Sequence, residues 1–90
     1  MKSYLYEDEK NKIKVNITAG MEPNNKVWIG NIKIDTASVN MYKTVKCNKD
    51  NYLNVIWNIN RDFDSHLYSK VPPEYKTAFY NFIQSTITFK

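Results

Sequence analysis

A single α+β domain, built as a four-stranded antiparallel β-meander with one C-terminal helix packed on one face (β-β-β-β-α), is the fold this sequence predicts. Three observations predict it. Apolar and polar residues alternate from Ile13 to Ala19 with the period of a half-buried strand. Turn-forming residues at 20–25, 35–38 and 48–51 separate runs of strand length. Finally, Pro72 and Pro73 open a stretch whose apolar residues recur at helical spacing.

Residues 1–11 hold Glu7, Asp8 and Glu9 beside Lys10 with no sustained period. They are expected to form an N-terminal arm or tail, leaving 12–90 as the domain. Ile13, Val15, Ile17 and Ala19 define the first strand, with Lys14, Asn16 and Thr18 on its wet face. After the GMEPNN loop, Val27–Ile34 reads as the second strand, with Trp28, Ile32 and Ile34 on one face. Gly30 shares that face, where a missing side chain lets a neighbouring group approach closely. DTAS makes the next turn.

Residues 39–46 read as the third strand. Val39, Met41 and Val45 lie on its apolar side, and Lys43 interrupts them as an edge position or a bulge would allow. NKDN is a further turn, and 52–59 reads as the fourth strand because Leu53, Val55, Trp57 and Ile59 alternate with Asn54 and Asn58. Residues 60–70 show no pattern and are expected to form an irregular segment or a short hairpin. In the final helix Phe79, Phe82, Ile83, Thr86 and Ile87 fall on one stripe, with Tyr75 one turn earlier. Glu74 in its first turn complements the positive end of the helix dipole.

The 90 residues suffice for one core, and the apolar and charged fractions of 42% and 24% are globular. Twelve Asn, twelve Lys and a single arginine suggest an AT-rich bacterial or phage coding sequence. No apolar run is long enough to span a membrane, and the N-terminus lacks the apolar core of a secretory signal. With one cysteine there is no intrachain disulfide, so a cytoplasmic protein is expected.

Little in the chain resembles catalytic machinery. His66 and Cys47 are the only residues of their kinds and lie in no nucleophile-activating or zinc-binding motif. Asp62 and Asp64 near Arg61 lack a third ligand or a phosphate-binding glycine loop. The expectation is a binding protein and not an enzyme, with no cofactor and no metal. Lysines on or beside the strands, interleaved with Tyr42 and Tyr52, suit a sheet surface that neutralises phosphates and stacks unpaired bases, although wet strands carry lysine for solubility too. Apolar surface left on the uncovered sheet face, or a free edge, would favour a homodimer or a partner.

This order of elements resembles the SpoVG family, small bacterial proteins with a β-meander followed by a C-terminal helix. IGNIKID is similar to that family's second strand, SVNMYKTVK to its third, NYLNVIW to its fourth, and Pro72 to the proline opening its last helix. The resemblance spans about Ile13 to Ile87 and implies a homodimeric regulator that binds DNA or RNA. One departure concerns function. Where the family carries a proline, a serine and two basic residues after the fourth strand, this chain has Trp57-Asn58-Ile59-Asn60, then Arg61 and aspartates.

The leading expectation is a SpoVG-like nucleic-acid-binding module with Lys43, Lys46, Arg61, Lys70 and Lys76 on phosphate. An alternative is a phage or mobile-element inhibitor, of the anti-defence or anti-CRISPR type, directed at a host protein. A third is a protein sequestering a small anionic aromatic ligand in a cleft of Trp57, Arg61 and Tyr68.

Overall fold

The computed structural model describes residues 1–67 and 71–90. Four strands, β1 (Lys2–Asp8), β2 (Ile13–Met21), β3 (Val27–Asp35) and β4 (Asn40–Asn48), form one antiparallel sheet in the order β1-β2-β3-β4. Two helices follow, α1 (Tyr52–Leu67) and α2 (Pro73–Ser85). The α+β class, the four-stranded meander and the C-terminal helix on one face are as the sequence predicts. Which segment supplies which element differs in two places.

The first correction concerns the N-terminus. Lys2–Asp8 is not a loose arm but strand β1, in register with β2 from Lys2↔Ala19 to Asp8↔Ile13. Tyr4 and Tyr6 turn toward the helices while Ser3, Leu5 and Glu7 turn away, and this alternation is concealed in the sequence because Leu5 is as apolar as its neighbours. The strand reverses through a turn that Asp8 ties down: the Asn11 backbone N–H donates to Asp8 Oδ1 at 3.1 Å and Asn11 Nδ2 to Oδ2 at 2.9 Å.

The second correction concerns residues 52–59, which form the first two turns of α1 and no strand. Asn51 opens the helix, its carbonyl accepting from Val55 N–H at 3.2 Å, and asparagine suits that capping position. Ile56, Ile59 and Phe63 are buried at i, i+3 and i+7, so the inward face has helical spacing. The helix continues to Leu67, through most of the stretch expected to be irregular.

Both helices lie on the same side of the sheet, α1 along β4 and α2 along β1. Strand residues facing them are buried: Ile13, Val15, Ile17 and Ala19 on β2, and Trp28, Ile32 and Ile34 on β3. Phe63 of α1 stacks on Phe79 of α2 with ring centroids 4.3 Å apart. Phe79 and Phe82 meet Tyr4, and Tyr75 lies over Tyr6 at 4.3 Å, so an aromatic wall joins α2 to β1. Helix α2 starts at Pro73 with Pro72 before it, as the prolines predict, and Thr86 forms its C-cap. Ile87 lies beyond the helix, half-buried against the core.

Of the two settings that would tolerate Lys43, an edge position or a bulge, the structure shows the edge. β4 is an edge strand, and the lysine on its helix-facing side is held by Asp62 of α1. Among the described residues no helix is long and apolar enough to cross a membrane.

Candidate nucleic-acid interface

With both helices on one side, the other side of the sheet is open to solvent. Strand alternation places Ser3, Leu5 and Glu7 there from β1, and Lys14, Asn16 and Thr18 from β2. β3 adds Val27, Ile29, Asn31, Lys33 and Asp35, and β4 adds Asn40, Tyr42, Thr44, Lys46 and Asn48. None of these residues is buried. The face is mainly amide, hydroxyl and ammonium groups, the Thr44 hydroxyl donating to Asn31 Oδ1 at 2.9 Å across the β3–β4 pair. Tyr42, 69% exposed, stands opposite Lys33.

The charges divide between the two ends of the sheet. At one end, Glu7, Asp8, Glu9 and Asp35 surround an open hollow of about 500 Å³ together with Lys12 and Lys14. Lys14 reaches Glu7 at 3.9 Å and Lys33 reaches Asp35 at 3.8 Å, so these two cations are offset. Lys10 and Lys12 in the turn pair with no described carboxylate and stand beside Asp8 and Glu9 in sequence. The opposite end gathers Lys26, Lys46, Lys49 and Lys90. The last β3–β4 pair is Val27↔Asn48, which puts Lys26 and Lys49 one position beyond it on neighbouring chain segments. Lys46 is two positions inside, opposite Ile29 on the open face.

The chain terminus is drawn to the same place. Lys90 N–H donates to Asn25 carbonyl at 3.0 Å, and Asn25 Nδ2 donates to Thr88 carbonyl at 3.1 Å. Glu22 and Asp50 also belong to this end, yet none of the four lysines forms an ion pair with a described carboxylate.

The residues expected to contact phosphate do not form one surface. Among the described residues of that set, Lys46 alone faces the open side. Lys43 is on the helix side, its Nζ 3.0 Å from Asp62 Oδ2. Arg61, on the outer face of α1, has its guanidinium carbon 5.1 Å from the Trp57 ring centroid and its Nε 3.9 Å from Asp62 Oδ1. Lys76 of α2 pairs with Asp64 at 3.1 Å beside a shallow hollow of about 260 Å³. Lys70 lies outside the described residues.

Asp62 and Asp64 therefore act as counterions to Lys43, Arg61 and Lys76. Of the expected ligand cleft, Trp57 and Arg61 do meet, at i and i+4 of α1, while Tyr68 is outside the described residues. Trp57 is 59% exposed and Leu53, one turn earlier, 67% exposed, so the outer face of α1 carries an apolar stripe.

Lys26, Lys49 and Lys90 were not legible as a group from the sequence, because only the register and the docking of the last residues bring them together. Of the two reactive groups singled out from the sequence, the His66 side chain lies outside the described residues, and Cys47 is buried on β4 opposite Trp28 of β3; burial pushes its thiol up, away from the thiolate form that nucleophiles and metal ligands need. Among the described residues no cluster of His, Cys, Asp or Glu is arranged to hold a metal ion. Comparison with family models, curated proteins and solved structures finds no match for this chain.

Proposed function

We propose that this chain is a non-enzymatic, cytoplasmic nucleic-acid-binding module of regulatory type. The observation that carries the reading is the placement of Lys26, Lys49 and Lys90 at the end of the sheet where Lys46 stands on the uncovered face, which also bears exposed Tyr42. Lysines without carboxylate partners release counterions when they meet phosphates, whereas Lys43 and Lys76 would first have to leave Asp62 and Asp64. Tyr42 offers a ring on which an unpaired base can stack, and Asn16, Asn31 and Thr44 offer hydrogen bonds beside it. A single strand suits the face better than a duplex, since stacking needs an accessible base plane. The resemblance to SpoVG proteins points to the same class of ligand, although the segment resembling that family's fourth strand is helical here.

Fluorescence anisotropy with labelled single-stranded DNA, the same sequence as RNA, and a duplex tests the reading. Three or four phosphate contacts give a log affinity against log salt slope of roughly −2 to −3 on single strands, at about 0.7 per contact. Replacing Lys46 and Lys49 together by Glu should weaken binding at least about tenfold. Absence of binding to all three probes at ~50 mM salt would overturn the proposal.

A second reading is favoured by the stripe of Leu53 and Trp57 on α1, which suits a protein partner and fits an inhibitor of a host protein. A stoichiometric partner retained after nuclease treatment and lost with Trp57→Ala would favour it over nucleic acid.

A further inference from the structure

β1 forms one edge of the sheet and, among the described residues, pairs with β2 alone. Among the described residues, none of the turn, loop or cap backbone bonds involves Lys2–Asp8. Half of the strand's N–H and C=O groups therefore point outward in a row that another strand can complete.

The sequence of this edge is its own antiparallel complement. A two-fold axis through Leu5 sets Lys2 opposite Asp8 of a second copy, Ser3 opposite Glu7, Tyr4 opposite Tyr6, and Leu5 opposite itself. Opposite charges thus meet at both ends of the ladder, aromatic rings meet on the helix side, and an apolar pair sits at the centre. Leu5 is 51% exposed in the single chain and Tyr75, which lies over Tyr6, is 39% exposed. A second copy placed on this axis would set its own Leu5 against this one.

β4, the other edge, offers a poorer match. The register that aligns its ends is centred on Thr44 and sets Asn40 against Asn48 and Lys43 against Val45, with no pair of opposite charge. Its helix-side flank is also engaged in the Lys43–Asp62 bridge.

We propose that two copies associate β1 against β1 about this axis, giving one continuous eight-stranded antiparallel sheet with four helices on a single side. The charge pattern specifies a second copy over a foreign strand, because Lys2 and Asp8 find opposite charges when the strand meets its own reverse. The interface lies three strands away from Tyr42 and Lys46, so it stands or falls separately from the nucleic-acid reading.

Sedimentation equilibrium over about 1–100 μM tests this. The wild-type chain should approach twice its 10.7 kDa mass. Leu5→Lys, which puts like charges face to face on the axis, should return it to the single-chain mass with unchanged circular dichroism. Ser3, exposed and opposite Glu7, provides a test that misfolding does not mimic. Ser3→Lys should tighten the dimer and Ser3→Glu loosen it, each by roughly threefold to tenfold. A single-chain mass at every concentration would overturn the proposal. So would a dimer indifferent to Leu5→Lys, shifts of the same sign for both Ser3 variants, or a dimer abolished by Thr44→Lys instead.

Discussion

Trp28 Nε1 donates a 2.8 Å hydrogen bond to Thr86 Oγ1, and the same hydroxyl donates to the Ile83 carbonyl at 2.7 Å. Both residues are buried, so this pair fixes β3 of the sheet to the C-terminal end of α2. Thr86→Val keeps the shape and removes the acceptor, leaving a buried indole N–H unpaired. The expected loss is about 1–3 kcal/mol, read as a lower urea midpoint with unchanged slope. Thr86→Ser, which retains the oxygen, should cost less.

The Trp28 ring also lies over Gly30, two residues along the same strand face. A β-carbon at Gly30 would collide with Cη2 of that ring and lie within 3.0 Å of its Cζ2 and Cζ3 atoms. The side chain that approaches the glycine is thus its near neighbour, held by its bond to Thr86 and unable to swing aside. Gly30→Ala should destabilise the fold by about 1–3 kcal/mol through overpacking. In a Trp28→Leu background the added methyl should cost much less, a coupling that a double-mutant cycle measures directly.

Lys43 and Lys46 share a strand but not a face, so the two should separate stability from binding. Lys43→Ala breaks a partly exposed ion pair with Asp62 and should cost no more than about 1 kcal/mol. It should leave nucleic-acid affinity within about twofold. Lys46→Ala should do the reverse, lowering affinity and reducing the salt slope by about 0.7 on a single strand. Denaturation and anisotropy on the two variants check both halves.

Asp8 supplies a pH dependence of known sign. The Asn11 side-chain amide, then the Asn11 backbone N–H, hold its carboxyl below the ordinary aspartate range. A folded-state value lower than the unfolded one means that the turn is supported at all pH above the usual ~3.9. That support disappears as pH falls through the lowered value. Carbon-detected NMR titration should find the Asp8 midpoint below that of a free aspartate, and Asn11→Ala should move it up. An unchanged midpoint in that variant would place the cause elsewhere.

The strands at 13–21 and 27–35 were legible because one face is dry and the other wet, a pattern only a period of two produces. Residues 52–59 fit two templates at once. Leu53, Val55, Trp57 and Ile59 alternate, but Tyr52, Val55, Ile56, Ile59 and Phe63 also form a helical stripe, and burial selects the second. The deciding signal was length: the helical stripe extends to Phe63, past the reach of an ordinary strand. β1 was missed for the opposite reason, three consecutive apolar residues leaving no visible period. In the proposed binding surface, Lys46 was accessible to sequence reasoning, whereas its companions depend on cross-strand register and on the docking of Lys90 beside Asn25.

The two tryptophans occupy opposite environments: Trp28 is sealed in the core, and Trp57 stands in solvent beneath the Arg61 guanidinium. The molecule therefore carries two independent optical reporters. Emission from the interior indole registers loss of tertiary structure, while the outer one, open to iodide quenching, registers whatever settles on α1. One cuvette can thus distinguish unfolding from occupancy without any attached dye.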